Sequence, residues 1–235
     1  MQSYLVLQIA IDMNNHKISV ILTGATGMVG EAVLHECLLN DNVEKILIIN
    51  RRPAGISHPK LSEIVHTNFF DLSTIAEQLS HYDTCLFCLG VSSVGMNELA
   101  YTKATYTLTM HFAETVVKQN AGMTFCYISG ASTDSTEKGK LMWARVKGKT
   151  ENDLHKLPFK QVYNFRPDIL KPIAGMKNTL GFYKYLGWLL PIISAIAPKI
   201  ICSLQELGTA MINASTKGYE KPILEVTDIV ALAKR

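Results

Sequence analysis

The sequence has no large excess of charge of either sign. Its 235 residues include 23 Lys and Arg against 20 Asp and Glu, which gives a formal net charge of +3. A surplus this small excludes a nucleic-acid binder that works through bulk positive charge. Apolar residues make up 48% of the chain and the mean hydropathy is +0.14, values typical of a globular protein with a sizeable core.

The chain also lacks a long apolar run and an even set of cysteines. Residues 185–198 form an uncharged stretch of fourteen residues, short of the ~20 that cross a bilayer, and Pro191 interrupts it. The five cysteines are scattered and lie mostly in apolar runs, a pattern typical of reduced thiols rather than of disulfides. We therefore expect a cytoplasmic protein with no integral membrane segment and no nucleic-acid partner.

The N-terminus lacks the Lys or Arg that would precede the apolar stretch of a secretory signal. A second methionine, Met13, stands five residues before the first convincing strand. Two interpretations are open: residues 1–12 are an extension ahead of a start at Met13, or they form an ordinary extra edge strand. Residues 13–235 are predicted to form a single domain.

Apolar, β-branched runs alternate with helical patterns up to Pro167. Strands are predicted at 18–23, 45–49, 64–67, 84–89, 123–128 and 161–165, with a last one at 223–226. Helices are predicted at 28–40, from 71 or 73, between the fourth and fifth strands, and at 140–156. The third of these helices is expected to bury one face, made of Leu99, Tyr106, Met110, Ala113 and Val117. This alternation predicts an α/β fold with a doubly wound parallel sheet, as in Rossmann-like domains.

A glycine-rich turn joins the first strand to the first helix. Glycines spaced G-x-x-G-x-x-G permit a tight turn, close approach of the backbone to a pyrophosphate, and close packing of helix on strand. The helix that follows presents free N–H groups and a positive dipole to the phosphates. The predicted dinucleotide-binding residues in this turn are Gly24, Thr26, Gly27, Met28, Val29 and Gly30.

The end of the second strand indicates which dinucleotide is bound. An Asp or Glu about 20 residues past the glycine turn would hold the ribose 2′-hydroxyl of NAD. The chain has Asn50, Arg51 and Arg52 there instead. Two guanidinium groups match a 2′-phosphate in fork geometry, so the pattern favours NADP(H) over NAD(H).

Beyond Pro167, prolines interrupt a stretch rich in glycine and aromatic residues. Residues 168–217 are predicted to form a small helical cap over the cofactor crevice. Burial over that crevice is the first interpretation of the uncharged residues 185–198. A self-association face that makes a homodimer is the second, and contact with a membrane surface is the third.

These motifs resemble the short-chain dehydrogenase/reductase superfamily in its extended or atypical branch. The resemblance rests on Thr-Gly-Ala-Thr-Gly-x-x-Gly at 23–30 and Asn-Arg-Arg-Pro at 50–53. Val-Lys-Gly-Lys-Thr-Glu at 146–151 and Phe-Arg-Pro at 165–167 are similar to the Tat-interacting-protein-like members. Those are single-domain NADPH-binding proteins, often labelled as oxidoreductases or nucleoside-diphosphate-sugar epimerases.

The resemblance implies further site residues. Asp71, followed by Leu72, takes the place of an adenine-binding Asp. The structural alternative is that Asp71 caps the following helix, and the two roles are compatible. Gly90, at the end of the fourth strand, would let the cofactor lie against the backbone. The catalytic serine of the family falls on Ser129 or Ser132, and a plain turn is the alternative for both.

The chain departs from the family at the next helix. Active members carry Tyr-x-x-x-Lys, in which the ammonium lowers the pKa of the phenol and the phenol transfers a proton. Here Lys147 takes the lysine place, but Trp143 stands four residues before it. An indole N–H donates a hydrogen bond and is not a usable acid or base in water. The ordinary proton relay is therefore absent.

Two functions follow from this pattern. One is an NADP(H)-dependent oxidoreductase or epimerase-like protein that acts on an unknown small molecule with a displaced group, such as Tyr183 or Tyr185, or with serine and water. The other is a non-catalytic NADPH-binding sensor or scaffold that regulates a protein partner. No metal site is predicted, because Cys85 and Cys88 would point to opposite faces of a strand and no further ligands complete a zinc site.

Overall fold

A parallel sheet of seven strands forms the centre of the computed structural model, which describes residues 17–173, 175–178 and 196–235. The strands of the chain are β1 (Ile18–Thr23), β2 (Val43–Asn50), β3 (Leu61–Val65), β4 (Thr84–Phe87), β5 (Thr124–Ile128), β6 (Gln161–Arg166), β7 (Ile169–Lys171), β8 (Ile201–Ser203) and β9 (Ile223–Glu225). In the sheet they lie in the order β3-β2-β1-β4-β5-β6-β9, and every neighbouring pair is parallel. The short strands β7 and β8 pair separately.

Helices cover both faces of the sheet. They are α1 (Met28–Leu39), α2 (Glu98–Thr102), α3 (Leu108–Gln119), α4 (Met142–Leu154), α5 (Leu204–Lys217) and α6 (Val226–Ala233). Alternate residues of β1 face opposite layers: Val20 and Leu22 pack with α1, α5 and α6, while Ile21 packs with α3 and α4. The predicted doubly wound α/β fold is confirmed.

Most predicted elements appear within a few residues of their expected bounds. The third strand lies earlier than predicted, at Leu61–Val65, and the short helix after it is a 3₁₀ turn at Ala76–Leu79. Leu99 is wrongly placed on the buried face, since it is 82% exposed. A π-helical turn at Lys103–Thr107 separates α2 from α3, so the spacing counted through this region does not follow one α-helical face.

The cap prediction is wrong for residues 204–217. Helix α5 is part of the layered fold, with Leu207, Ala210 and Met211 fully buried in the core. Gly208 brings it close to α1, because a Cβ at this position would lie 2.9 Å from Cγ of Glu36. Apolar periodicity buries this helix against the sheet, which is why it cannot serve as a cap.

Several expectations fall outside the described residues. These concern residues 1–12, residues 179–195, which include Tyr183 and Tyr185, and most of the uncharged stretch 185–198. Among the residues that are described, no helix combines the length and apolarity needed to span a membrane. Cys85 and Cys88 contact the cores on opposite faces of the sheet, as predicted for a strand.

Candidate functional site: a glycine turn, a cationic cleft and an altered relay

The glycine turn is held by contacts that exclude side chains. Gly24 has a φ of +75°, and a Cβ there would lie 2.7 Å from the carbonyl oxygen of Cys88. A Cβ on Gly30 would lie 2.0 Å from the carbonyl oxygen of Gly24. The turn is closed by the Gly27 N–H, which donates to that same oxygen at 2.9 Å. Both glycines are therefore required by the path of the backbone.

Helix α1 begins at this turn, and its first amides have no acceptor among the residues that the structure describes. Gly27 is the N-cap and provides no side chain to bond them. The N–H groups of Met28, Val29 and Gly30 have no acceptor within the helix because they belong to its first turn. Thr26 and Gly27 are exposed. The arrangement presents backbone donors and the positive end of a helix dipole, the elements of an anion site.

A cleft of about 340 Å³ opens beside the turn at the carboxyl ends of β2, β3 and β4. Its described lining contains two charged residues, Arg51 and Lys103, both cationic. Leu89 connects the two features, since it lines the cleft and its N–H donates to Oγ1 of Thr23, next to the turn. The lining consists of Arg51, Thr67, Asn68, Phe69, Phe70, Leu89, Gly90, Val91, Ala100, Lys103, Ala104 and Leu108.

The segment after β2 is organised by a residue that sequence reasoning missed. Glu63 on β3 accepts hydrogen bonds at 2.9 Å from Nδ2 of Asn50 and from the backbone N–H of Ala54. Asn50 is buried, and its Oδ1 has no hydrogen-bond partner among the described residues. Arg51 and Arg52 are exposed, and Arg51 reaches the cleft. Strand pairing alone brings Glu63 here, so no local sequence signal could have shown it.

Asp71 and Leu72 occupy places less suited to a ligand than the sequence predicts. The Asp71 carboxylate accepts from Oγ of Ser73 at 2.7 Å and from its N–H at 3.1 Å, and these bonds lower the pKa of Asp71. The side chain of Leu72 is buried in the core. Neither residue is among those lining the cleft, whereas Gly90 is, with open space where a Cβ would stand. The Asp71 carboxylate thus closes a turn onto Ser73 and caps no helix, because the next described helical turn begins at Ala76 with Ile75 as its N-cap.

The two candidate serines differ in their surroundings. Ser129 is 6% exposed, and its Oγ lies 3.0 Å from Oγ1 of Thr133. Thr133 commits its single hydroxyl proton to the carbonyl oxygen of Gly130 at 2.8 Å, so Ser129 is the donor of the pair. Ser132 is exposed and has a φ of +64°, a strained conformation for a residue with a side chain.

Helix α4 carries Trp143 and Lys147 one turn apart, as the sequence predicts. The Lys147 ammonium donates to the carbonyl oxygens of Ile128 at 3.1 Å and Ser129 at 3.2 Å. Its Nζ also lies 5.3 Å from the centre of the Tyr127 ring. Desolvation lowers the pKa of Lys147 to about 8, although the nearby Glu151 carboxylate opposes this shift.

Trp143 faces a residue without a side chain. A Cβ built on Gly130 would lie 3.8 Å from Cζ3 of the indole, an ordinary van der Waals contact. Gly130 is therefore close to the indole of Trp143. Sequence reasoning considered the serines at 129 and 132 and gave no role to the glycine between them.

A buried ion pair joins α4 to the end of β6. Arg166, at the end of β6, donates from Nε to Oε1 of Glu151 at 3.0 Å, and its Nη2 pairs with Oε2 of the same carboxylate. Nη2 also donates to Oγ of Ser135 at 2.7 Å, and Nη1 lies 3.3 Å from Glu225. Glu151 is 1% exposed. This network fixes the helix relative to the loop that carries Ser135.

Strand order, a glycine turn before the first helix and a cleft at the carboxyl edge together define a Rossmann-like α/β protein. The chain belongs to the NAD dependent epimerase/dehydratase family, because the sequence model of that family matches residues 20–140. The resemblance to extended short-chain dehydrogenases/reductases is thereby confirmed.

Similar proteins share much of this chain. Protein fmp52, mitochondrial, from Emericella nidulans is 31% identical over 170 residues, which cover 68% of this chain and 69% of that protein. Protein HTATIP2 from Rattus norvegicus is 23% identical over 166 residues, or 70% of this chain and 67% of that protein. The enzyme WbmF from Bordetella bronchiseptica, solved in complex with NAD+, superposes with a TM-score of 0.65 at 14% identity. This superposition covers 94% of this chain and 77% of WbmF.

Proposed function

We propose that the protein binds a nicotinamide dinucleotide, and NADP(H) in preference to NAD(H). The observation that carries the proposal is the turn from Gly24 to Gly30, which opens beside a cleft whose charged lining residues are both cations. The cleft volume of about 340 Å³ is within the ~300–1,000 Å³ usual for ligand pockets. Complexes of the structural neighbour WbmF with NAD+ and NADH support the same cofactor class.

The residues fit the parts of a dinucleotide separately. The first amides of α1, from Met28 to Gly30, would hold the pyrophosphate. The cleft beside Phe69 and Gly90 would hold the adenosine. When bound, such a cofactor supplies or accepts a hydride. Lys147 would hold a ribose hydroxyl, a role supported by the position of its ammonium at the carboxyl end of β5.

The preference for NADP(H) rests on charge. Arg51 and Arg52 are exposed next to the cleft, and within the described ranges neither forms an ion pair. Glu63, the nearby carboxylate, is already bonded to Asn50 and Ala54. A 2′-phosphate would therefore meet unpaired guanidinium groups, which bind phosphate oxygens in bidentate fashion.

Calorimetric titration with NADPH and NADH tests both parts of the proposal. We expect the wild-type protein to bind NADPH more tightly. Replacing Arg51 and Arg52 together by Ala should weaken the binding of NADPH far more than the binding of NADH. Absence of heat with either dinucleotide would refute binding, and equal losses in the double variant would refute the preference.

A second candidate is a non-catalytic NADPH-binding sensor or scaffold. It is favoured by the contact of Trp143 with Gly130, which leaves neither an acid nor a hydroxyl at those two positions. The proton of Ser129 is committed to Thr133. A sensor or scaffold needs the cofactor site but no proton relay. An oxidoreductase or epimerase-like activity on a small molecule requires instead that a displaced group transfer the proton.

An assay of stereospecific hydride transfer separates the two candidates. NADPH oxidation would be followed with a panel of carbonyl and sugar-nucleotide substrates. Tight NADPH binding with no turnover supports the sensor or scaffold. Turnover with any of these substrates supports the divergent enzyme and overturns the second candidate.

A further inference from the structure

The cleft lined by Arg51 also contains a cation, Lys103, that belongs to none of the sequence motifs. Arg51 enters from the segment after β2, and Lys103 stands on the π-helical turn between α2 and α3. In the part of the chain that the structure describes, neither cation is paired with a carboxylate. Two unpaired cations facing one cleft favour an anionic ligand there.

The surroundings of Lys103 direct its charge into the cleft. Its neighbours on the same wall, Ala100 and Ala104, are small and leave room beside it. Its Nζ lies 5.5 Å from the centre of the ring of Phe70, another residue of the lining, which is 41% exposed. A cation–π contact of this kind holds the ammonium beside Phe70 without neutralising it. π-Helical turns are frequent at functional sites.

We propose that Lys103 is a specificity-determining residue whose ammonium binds the 2′-phosphate of the adenosine ribose, opposite Arg51. This inference rests on the proposed function. A phosphate monoester carries about −1.5 to −2 charges near neutral pH, more than Arg51, the one guanidinium in the described lining of the cleft, balances alone. Arg51 provides a planar fork, and Lys103 provides a point charge on a flexible stem.

The other phosphates of the cofactor do not need Lys103. The pyrophosphate has the glycine turn and the first amides of α1, which begin at Gly27. Adenine itself is uncharged. The 2′-phosphate is therefore the anionic group of the dinucleotide that lacks a backbone site, and it would lie at the end of the cofactor that Arg51 approaches.

The test compares Lys103→Met with Lys118→Met, a matched change at an exposed lysine on α3 that does not line the cleft. Calorimetry would measure binding of NADPH, NADH, 2′,5′-ADP and 5′-ADP to the full chain. We expect Lys103→Met to weaken NADPH and 2′,5′-ADP about tenfold, the size of a charge-assisted hydrogen bond. The affinities for NADH and 5′-ADP should change less than about twofold. Lys103→Arg should retain the preference for NADPH over NADH.

The outcomes separate this inference from the proposed function. Equal weakening of NADPH and NADH would assign Lys103 to a shared part of the cofactor and overturn the inference. Unchanged NADPH binding in Lys103→Met would also overturn it, while leaving dinucleotide binding and the role of Arg51 intact. If the wild-type protein binds none of the four ligands, the proposed function itself fails.

Discussion

Two regions at the carboxyl edge of the sheet follow different rules. The dinucleotide end comprises the turn from Gly24 to Gly30 and the adjoining cleft, and backbone groups make most of it. The relay end comprises Gly130, Trp143 and Lys147 near the end of β5, and individual side chains make it. Close contacts to the Gly24 and Cys88 carbonyl oxygens enforce the first region.

The difference shows why binding and proton transfer can separate in one fold. A phosphate cradle made of amides persists as long as the chain follows its path. A proton relay disappears when one phenol becomes an indole, while the helix that carries it stays in place. The ion pair of Arg166 with Glu151 keeps α4 anchored under an altered relay. The comparison can be tested at both ends.

The largest change is expected from rebuilding the relay end. Trp143→Tyr combined with Gly130→Ser would restore a phenol four residues before Lys147 and a hydroxyl facing it. General acid–base groups contribute about 10²–10⁴-fold to rate, so we expect NADPH-dependent turnover to appear or rise by that order. The two single variants are the controls, and each should gain less. Intact NADPH binding with no gain in the double variant would mean that these two positions do not limit catalysis.

Breaking the buried ion pair should cost the most folding stability. Glu151→Gln leaves the buried Arg166 guanidinium with only the longer contact to the half-exposed Glu225, and we expect a loss of about 3–5 kcal/mol in the free energy of unfolding. Glu98→Gln is the matched control, because its partner Arg145 lies near the surface and such pairs contribute about 0–1 kcal/mol. Urea unfolding measures both. Similar losses in the two variants would contradict a structural role for the buried pair.

A smaller loss of stability, accompanied by loss of binding, is expected at the dinucleotide end. Gly30→Ala introduces a Cβ 2.0 Å from the Gly24 carbonyl oxygen, so the turn must shift, at a cost of about 1–3 kcal/mol. NADPH binding should fall with it. Gly90→Ala is the control, since its Cβ meets open space and should leave stability unchanged. Thermal unfolding measures the loss of stability, and calorimetry measures the binding of NADPH. Wild-type binding by Gly30→Ala would argue against a phosphate site at the turn from Gly24 to Gly30.

A change of stability with pH, confined to the alkaline range, is expected from Lys147. Its pKa is about 8 in the folded protein and 10.5 ordinarily, so between these values the unfolded chain binds more protons. The free energy of unfolding should therefore rise with pH across this window. Urea unfolding of the wild type and Lys147→Met from pH 7 to 10.5 isolates the effect as a difference. A difference that is flat across the window would contradict the lowered pKa.

Residues close in sequence account for most of what could be predicted. Strand β1 and the turn from Gly24 to Gly30 were readable because strand periodicity, helix starts and glycine spacing are local signals. Leu99 was misplaced because a π-helical turn breaks the count along the helix. Helix α5 was mistaken for part of a cap because nothing in residues 204–217 alone reveals the face of α1 on which it packs.

The amino-acid sequence by itself determined the order of strands and helices, the glycines before α1 and the indole four residues before Lys147. Only the tertiary structure decided that Gly130 faces Trp143, that Glu63 binds Asn50, and that Lys103 shares a cleft with Arg51. The physical reason is the separation along the chain of the residues that interact. Periodicity and capping depend on neighbours within a few residues, whereas these contacts join side chains from separate elements, whose meeting is fixed by strand pairing and packing.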